Sequence, residues 1–172
     1  QIVREMKKPD GGNAFVSQLA TATFTILAIA TAIGVLAAPL VVRLYAAKFG
    51  GSGLETEFEL TVLFTRYCLP QILFLGLFTL FGQIANARGS FGPMMWAPIL
   101  NNLVVIGVLI GFIAIAPDAQ DGVISTSAKA LLGLGTTFGA FVQAAILIPV
   151  IVKSGVRLCP NFHWSSLGKS AH

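Results

Sequence analysis

Four long apolar stretches, separated by short polar or glycine- and proline-rich connectors, organise the sequence. The first runs from about Ala14 to Tyr45, densest from Phe24 to Leu44. The second runs from about Leu60 to Ala87, the third from about Trp96 to Ala116 and the fourth from about Ala130 to Val152. Each holds one charge or none, and a run of roughly 18 or more such residues crosses a ~30 Å hydrocarbon core as a helix rising 1.5 Å per residue. No alternation of period two competes with this pattern. The expectation is therefore an all-α integral membrane protein with four transmembrane helices.

Composition sharpens the picture. Of the 172 residues, 55% are hydrophobic and only 10% charged, where a soluble domain has about 25% charged residues. That excludes a soluble enzyme domain, a disordered chain and a nucleic-acid-binding module. The net charge of +4 reads as Lys and Arg at helix ends, and their placement sets an orientation. Four spans put both termini and the middle connector on one side, with Arg4, Lys7, Lys8, Arg88, Lys153, Arg157 and Lys169. The other side holds Glu55, Glu57, Glu59, Asp118 and Asp121. Short basic loops stay cytoplasmic, so both termini are expected there and the two acidic connectors outside. Cys68 and Cys159 then lie on opposite sides and cannot pair. The polar opening, QIVREMKKPDGGN, begins with Gln1 and suggests an excised piece of a longer membrane protein.

Small and polar residues recur at helical spacing. Gly107 and Gly111 on the third span, and Gly135 and Gly139 on the fourth, are expected to let helix backbones pack closely, with Gln143 one step further along. Gly76, Thr79, Gln83 and Asn86 share a face of the second span, as Ser17, Thr21 and Thr25 do on the first. Such faces should meet other helices or a wet cavity. Arg66, ahead of Pro70 and Gln71, is either an arginine snorkelling to the headgroups or a cation facing a solvated cavity that attracts an anionic substrate. Asn101, Asn102, Gln83 and Gln143 are either interhelical glue or ligand contacts.

The connector from Asn86 to Pro98 contains two glycines and two prolines. It is a tight turn, and it is also a candidate cytoplasmic gate or hinge built on Asn86, Arg88, Gly89, Phe91, Gly92 and Pro93, with Met94 and Met95 adding apolar closure and Trp96 an interfacial anchor. No catalytic constellation accompanies these features. His163 and His172 have no acid, serine or cysteine at a motif spacing, and Gly50–Gly53 lacks the lysine of a phosphate loop. No metal site, cofactor or nucleic-acid partner is expected.

Two runs resemble the MurJ/MviN family, the bacterial lipid II flippases of the MOP exporter superfamily. They are Arg66-Tyr67-Cys68-Leu69-Pro70-Gln71-Ile72 and the stretch from Gly82 to Asn102 that includes Asn86-Ala87-Arg88-Gly89-Ser90-Phe91-Gly92-Pro93. The opening Asn13-Ala14-Phe15-Val16-Ser17 and the closing Lys153-Ser154-Gly155 resemble it too. Ala85 stands where leucine is more usual. The resemblance implies helices three to six of a MATE-like first lobe, residues 1–172 being part of an N-terminal lobe within about fourteen helices. It implies a transporter and not an enzyme, one that moves an undecaprenyl-linked peptidoglycan precursor from inner to outer leaflet of the bacterial cytoplasmic membrane by alternating access. Its implied partners are that lipid, membrane lipids and the missing helices of the same chain. Another superfamily exporter, for polysaccharide-lipid or drugs, and a self-standing four-helix membrane scaffold are the alternatives.

Overall fold

The computed structural model describes residues 12–45, 54–115 and 125–156. The first connector's glycines, Asp118, Asp121, Cys159, both histidines and the basic residues Arg4, Lys7, Lys8, Arg157 and Lys169 lie outside the described residues. Every described element is a helix: α1 (Asn13–Leu36), α2 (Ala38–Tyr45), α3 (Glu55–Cys68), α4 (Gln71–Ala87), α5 (Gly92–Ile115), α6 (Thr126–Ala145) and α7 (Leu147–Lys153). They join into four units long and apolar enough to cross a membrane: Asn13–Leu36, Glu55–Ala87, Gly92–Ile115 and Thr126–Lys153. α2 extends the first of these.

Proline explains where the long helices break. It lacks the N–H that bonds four residues back, and its ring crowds that carbonyl. Pro39 follows the α1/α2 break at Ala37, Pro70 caps α4, and Pro149 follows the α6/α7 break at Ile146. At Pro70 the ladder tightens, with Ile72 N–H on the Leu69 carbonyl (3.0 Å) and Leu73 N–H on that of Pro70 (3.2 Å). Pro98 sits inside α5, whose helix continues through it.

Helix α6 is the packing hub, meeting α5 most extensively, then α4 and α3. Small residues permit this. A Cβ on Gly133 would lie 2.6 Å from the Cβ of Tyr67 in α3, and one on Gly135 would lie 2.5 Å from Val108 of α5. Gly139 faces Asn101, and Gly111 faces Leu131 at 3.5 Å. These α5–α6 pairs run in opposite senses along the chain, so the two helices are antiparallel. Gly107, by contrast, is exposed, and nothing among the described residues lies within 4 Å of its missing Cβ. On a helix of 3.6 residues per turn, four-residue steps drift around the axis, so Gly111 meets α6 while Gly107 rotates off it.

Buried apolar residues gather at the two ends of the bundle. One cluster joins Val16 of α1, Phe81, Ile84 and Ala85 of α4, Leu147 and Ile151 of α7, and Val156. The other joins Ala38 and Val42 of α2 to Val62 of α3. At the first end two helices stop in the same way. Gly89 (φ 79°) and Gly155 (φ 83°) take the left-handed conformation. Ser90 N–H bonds the Ala85 carbonyl at 2.9 Å, and Val156 N–H bonds that of Ile151 at 3.1 Å. This is the Schellman stop, in which glycine carries a positive φ that would strain any residue with a Cβ. Gly89→Ala and Gly155→Ala should each lower stability by about 1–2 kcal/mol, read from thermal unfolding. Since a Cβ at either position meets nothing within 4 Å, the loss would come from the backbone alone.

Candidate gate and cavity residues

The connector between α4 and α5 is built from its two helix ends inward. Arg88 caps α4, its N–H bonding the Ile84 and Ala85 carbonyls at 3.2 and 3.1 Å. A cation there suits the partial negative charge of a helix C-terminus. Gly89 turns the chain, and Gly92 and Pro93 open α5, where proline's missing N–H costs nothing. Across the turn, Asn86 Nδ2 donates to Met94 Sδ at 3.4 Å. Met94 also fills the notch at Gly82, where a Cβ would stand 2.7 Å from its sulfur. One side of the connector is thus clipped to α4. The other side displays Phe91, Met95 and Trp96, 64%, 78% and 69% exposed. The Arg88 side chain is half-buried and makes contacts of its own. Asn86 Oδ1 is buried without a hydrogen-bond partner among the described residues.

The six polar cavity candidates divide among different surroundings. Gln71, Asn101 and Gln143 face the helix interfaces. Gln71 Nε2 donates to Thr136 Oγ1 of α6 at 3.3 Å, Asn101 lies against Gly139, and Gln143 is 5% exposed. Arg66, Gln83 and Asn102 point outward, Arg66 into a groove with Pro39, Phe58, Glu59, Val62 and Leu63. The stripe Gly76, Thr79, Gln83, Asn86 also changes partner along its length. Gly76 packs on Leu27 of α1, Asn86 on Met94, and Thr79 and Gln83 between them are exposed. On α1, Thr21 and Thr25 turn their hydroxyls back to the carbonyls of Ser17 and Thr21, both at 2.8 Å.

The residues that hold the Pro70 kink were not among those picked from the sequence. Thr137 Oγ1 donates to the Tyr67 carbonyl at 2.6 Å, and Thr136 receives Gln71, so α6 grips the bent helix on both sides of the proline. Polar side chains of a neighbouring helix serve in this way where proline interrupts a ladder in an apolar medium. A Thr-Thr pair beside Gly133 and Gly135 was the available signal, but its partner lies 65 to 70 residues away. Among the described residues no group of three His, Cys, Asp or Glu could hold a metal ion.

Kinked helices packed through glycine, outward-facing polar positions and a structured basic connector define a polytopic helical membrane protein. The chain belongs to the lipid II flippase MurJ family, which it matches over residues 2–170. Among curated relatives, the probable lipid II flippase MurJ of Vibrio cholerae is 27% identical over 148 residues, covering 83% of this chain and 26% of the relative. The probable lipid II flippase MurJ of Haemophilus influenzae is 26% identical over 112 residues, covering 65% of this chain and 20% of the relative. The lipid II flippase MurJ of Burkholderia cenocepacia is 31% identical over 112 residues, covering 63% and 21%. The chain thus spans about a quarter or less of the length of these relatives. Membership places it in the bacterial cytoplasmic membrane, in keeping with its four membrane-length helices.

Proposed function

We propose that this chain forms part of a flippase that moves lipid II, an undecaprenyl-linked peptidoglycan precursor, from the inner to the outer leaflet. Family membership over residues 2–170 is the observation that carries this reading. The physical task is transport and not bond cleavage. A pyrophosphate-sugar head cannot enter hydrocarbon unaided, because desolvating its charge costs many kcal/mol. It needs a polar path through the protein while its tail stays in the bilayer. In this reading Gln83, Thr79 and Asn102, polar and exposed on otherwise apolar helices, face that path or the further spans that a protein of the relatives' length would bring. Gln71, Asn101 and Gln143 fix the helices behind it. The Arg88 connector lies at the cytoplasmic surface and takes part in closing the path there, with Phe91 and Met95 as its apolar contact.

Two measurements test this. The full-length protein carrying this segment should sustain growth when the native flippase is depleted, and failure to do so at normal expression would overturn the function. In intact cells an impermeant maleimide should label Cys68 but reach Cys159 only after permeabilisation, with the other native cysteines replaced. The reverse pattern would overturn the orientation.

A further inference from the structure

At the end of the bundle away from Arg88, α2 and α3 leave between them a groove of about 230 Å³. Pro39, Phe58, Val62 and Leu63 form its apolar lining, and Glu59 and Arg66 supply its charges. Arg43 adjoins it, its guanidinium 5.5 Å from the centre of the Phe58 ring, a stacking that steadies a cation at a wet surface.

Depth along the helix says what this groove meets. Twenty-one residues separate Arg66 from Ala87 at the far end of α4, about 31 Å at 1.5 Å per residue and so about one hydrocarbon thickness. With Ala87 at one boundary, Arg66 stands at the other. Glu59 lies seven residues earlier on the same face, about 10 Å further out. From bilayer to water the groove therefore presents a cation, then the apolar side chains of Leu63 and Val62, then an anion.

We propose that the groove binds a glycerophospholipid with a phosphoethanolamine headgroup, Arg66 holding the phosphate and Glu59 the terminal ammonium. The charges of such a lipid come in the same order, phosphate nearer the bilayer and ammonium nearer water, while its acyl chains lie in the surrounding bilayer. A guanidinium suits phosphate because two parallel N–H donors meet two oxygens. Glu59 selects among headgroups. It accepts charge-assisted N–H bonds from a primary ammonium, has none to accept from a trimethylated one, and meets only uncharged hydroxyls on a glycerol headgroup. The assignment holds whichever membrane face this end occupies, and it does not rest on the flippase reading.

The test is native mass spectrometry of the delipidated full-length protein titrated separately with phosphatidylethanolamine, phosphatidylcholine and phosphatidylglycerol. Wild type should retain the ethanolamine lipid about tenfold over the other two, the worth of one good charge-assisted hydrogen bond. Glu59→Gln should abolish that preference and leave phospholipid binding otherwise intact, while Arg66→Gln should weaken the ethanolamine lipid about tenfold. Both side chains are exposed, so neither change leaves a buried unpaired partner. Equal retention of the three lipids, preference for the glycerol headgroup, or variants that bind as wild type would each overturn the proposal. So would retention of no lipid together with a dimeric mass, which would give the groove to a second copy.

Discussion

Gly133→Ala is expected to destabilise the protein by about 3 kcal/mol or more, at the upper end of what one added methyl group does in a packed interior. The new Cβ would sit 2.6 Å from both Cβ and Cδ2 of Tyr67. Rotating the tyrosine relieves the second contact but not the first, because a Cβ moves only with its backbone. α3 and α6 would have to separate, and with them the Thr137 hydroxyl and the Tyr67 carbonyl, now 2.6 Å apart. Gly135→Ala should follow closely, since Val108 is branched at Cβ and stiff. Gly107→Ala should do the opposite. Nothing stands within 4 Å there, so the gain of about 1 kcal/mol from alanine over glycine inside a helix remains. Thermal unfolding of the detergent-solubilised protein reads all three. A destabilised Gly107→Ala, or a neutral Gly133→Ala, would contradict the helix packing described above.

The second large effect is functional. Arg88→Glu in the full-length protein should reduce growth at least about tenfold when the native flippase is depleted, as expected when a conformational step is blocked. A carboxylate at this position meets the carbonyl-rich end of α4, which repels it, in a half-buried site. Arg88→Gln separates charge from shape: it keeps hydrogen-bonding capacity without reversing the sign and should retain much of the activity. Arg88→Gln should match wild type in protein level, and the level of Arg88→Glu, measured alongside, separates a folding defect from a blocked step. Full growth with Arg88→Glu would remove the connector from the closing machinery.

The four spans were legible because length and apolarity alone decide whether a helix can cross a bilayer. The breaks within them were less so. Pro39, Pro70, Pro98 and Pro149 all stand in the sequence, yet three divide a helix and Pro98 does not. The outcome depends on the neighbours, and sequence does not display them. Glycine spacing behaved likewise. Gly135 and Gly139 mark a contact because a helix lies against them, whereas Gly107 shares the spacing and has no neighbour among the described residues. Among the polar candidates, residue type showed that Gln71 and Arg66 should avoid lipid. It could not tell that one would reach Thr136 and the other an interfacial groove, since both depend on contacts distant in the chain.

The prolines have one more consequence. Three of the four rods are jointed, and the joints are staggered in height: those at Pro39 and Pro70 belong to the α2–α3 end, that of Pro149 to the end where α4 and α7 stop. The extremities can therefore loosen separately. The one anchored by Ile84, Leu147, Ile151 and Val156 is the broader, while among the described residues its opposite is sealed by Ala38, Val42 and Val62 with Phe58 and Leu69 against them. Warming should fray the smaller seal first, so amide exchange around Val42 and Val62 would quicken before that around Ile84.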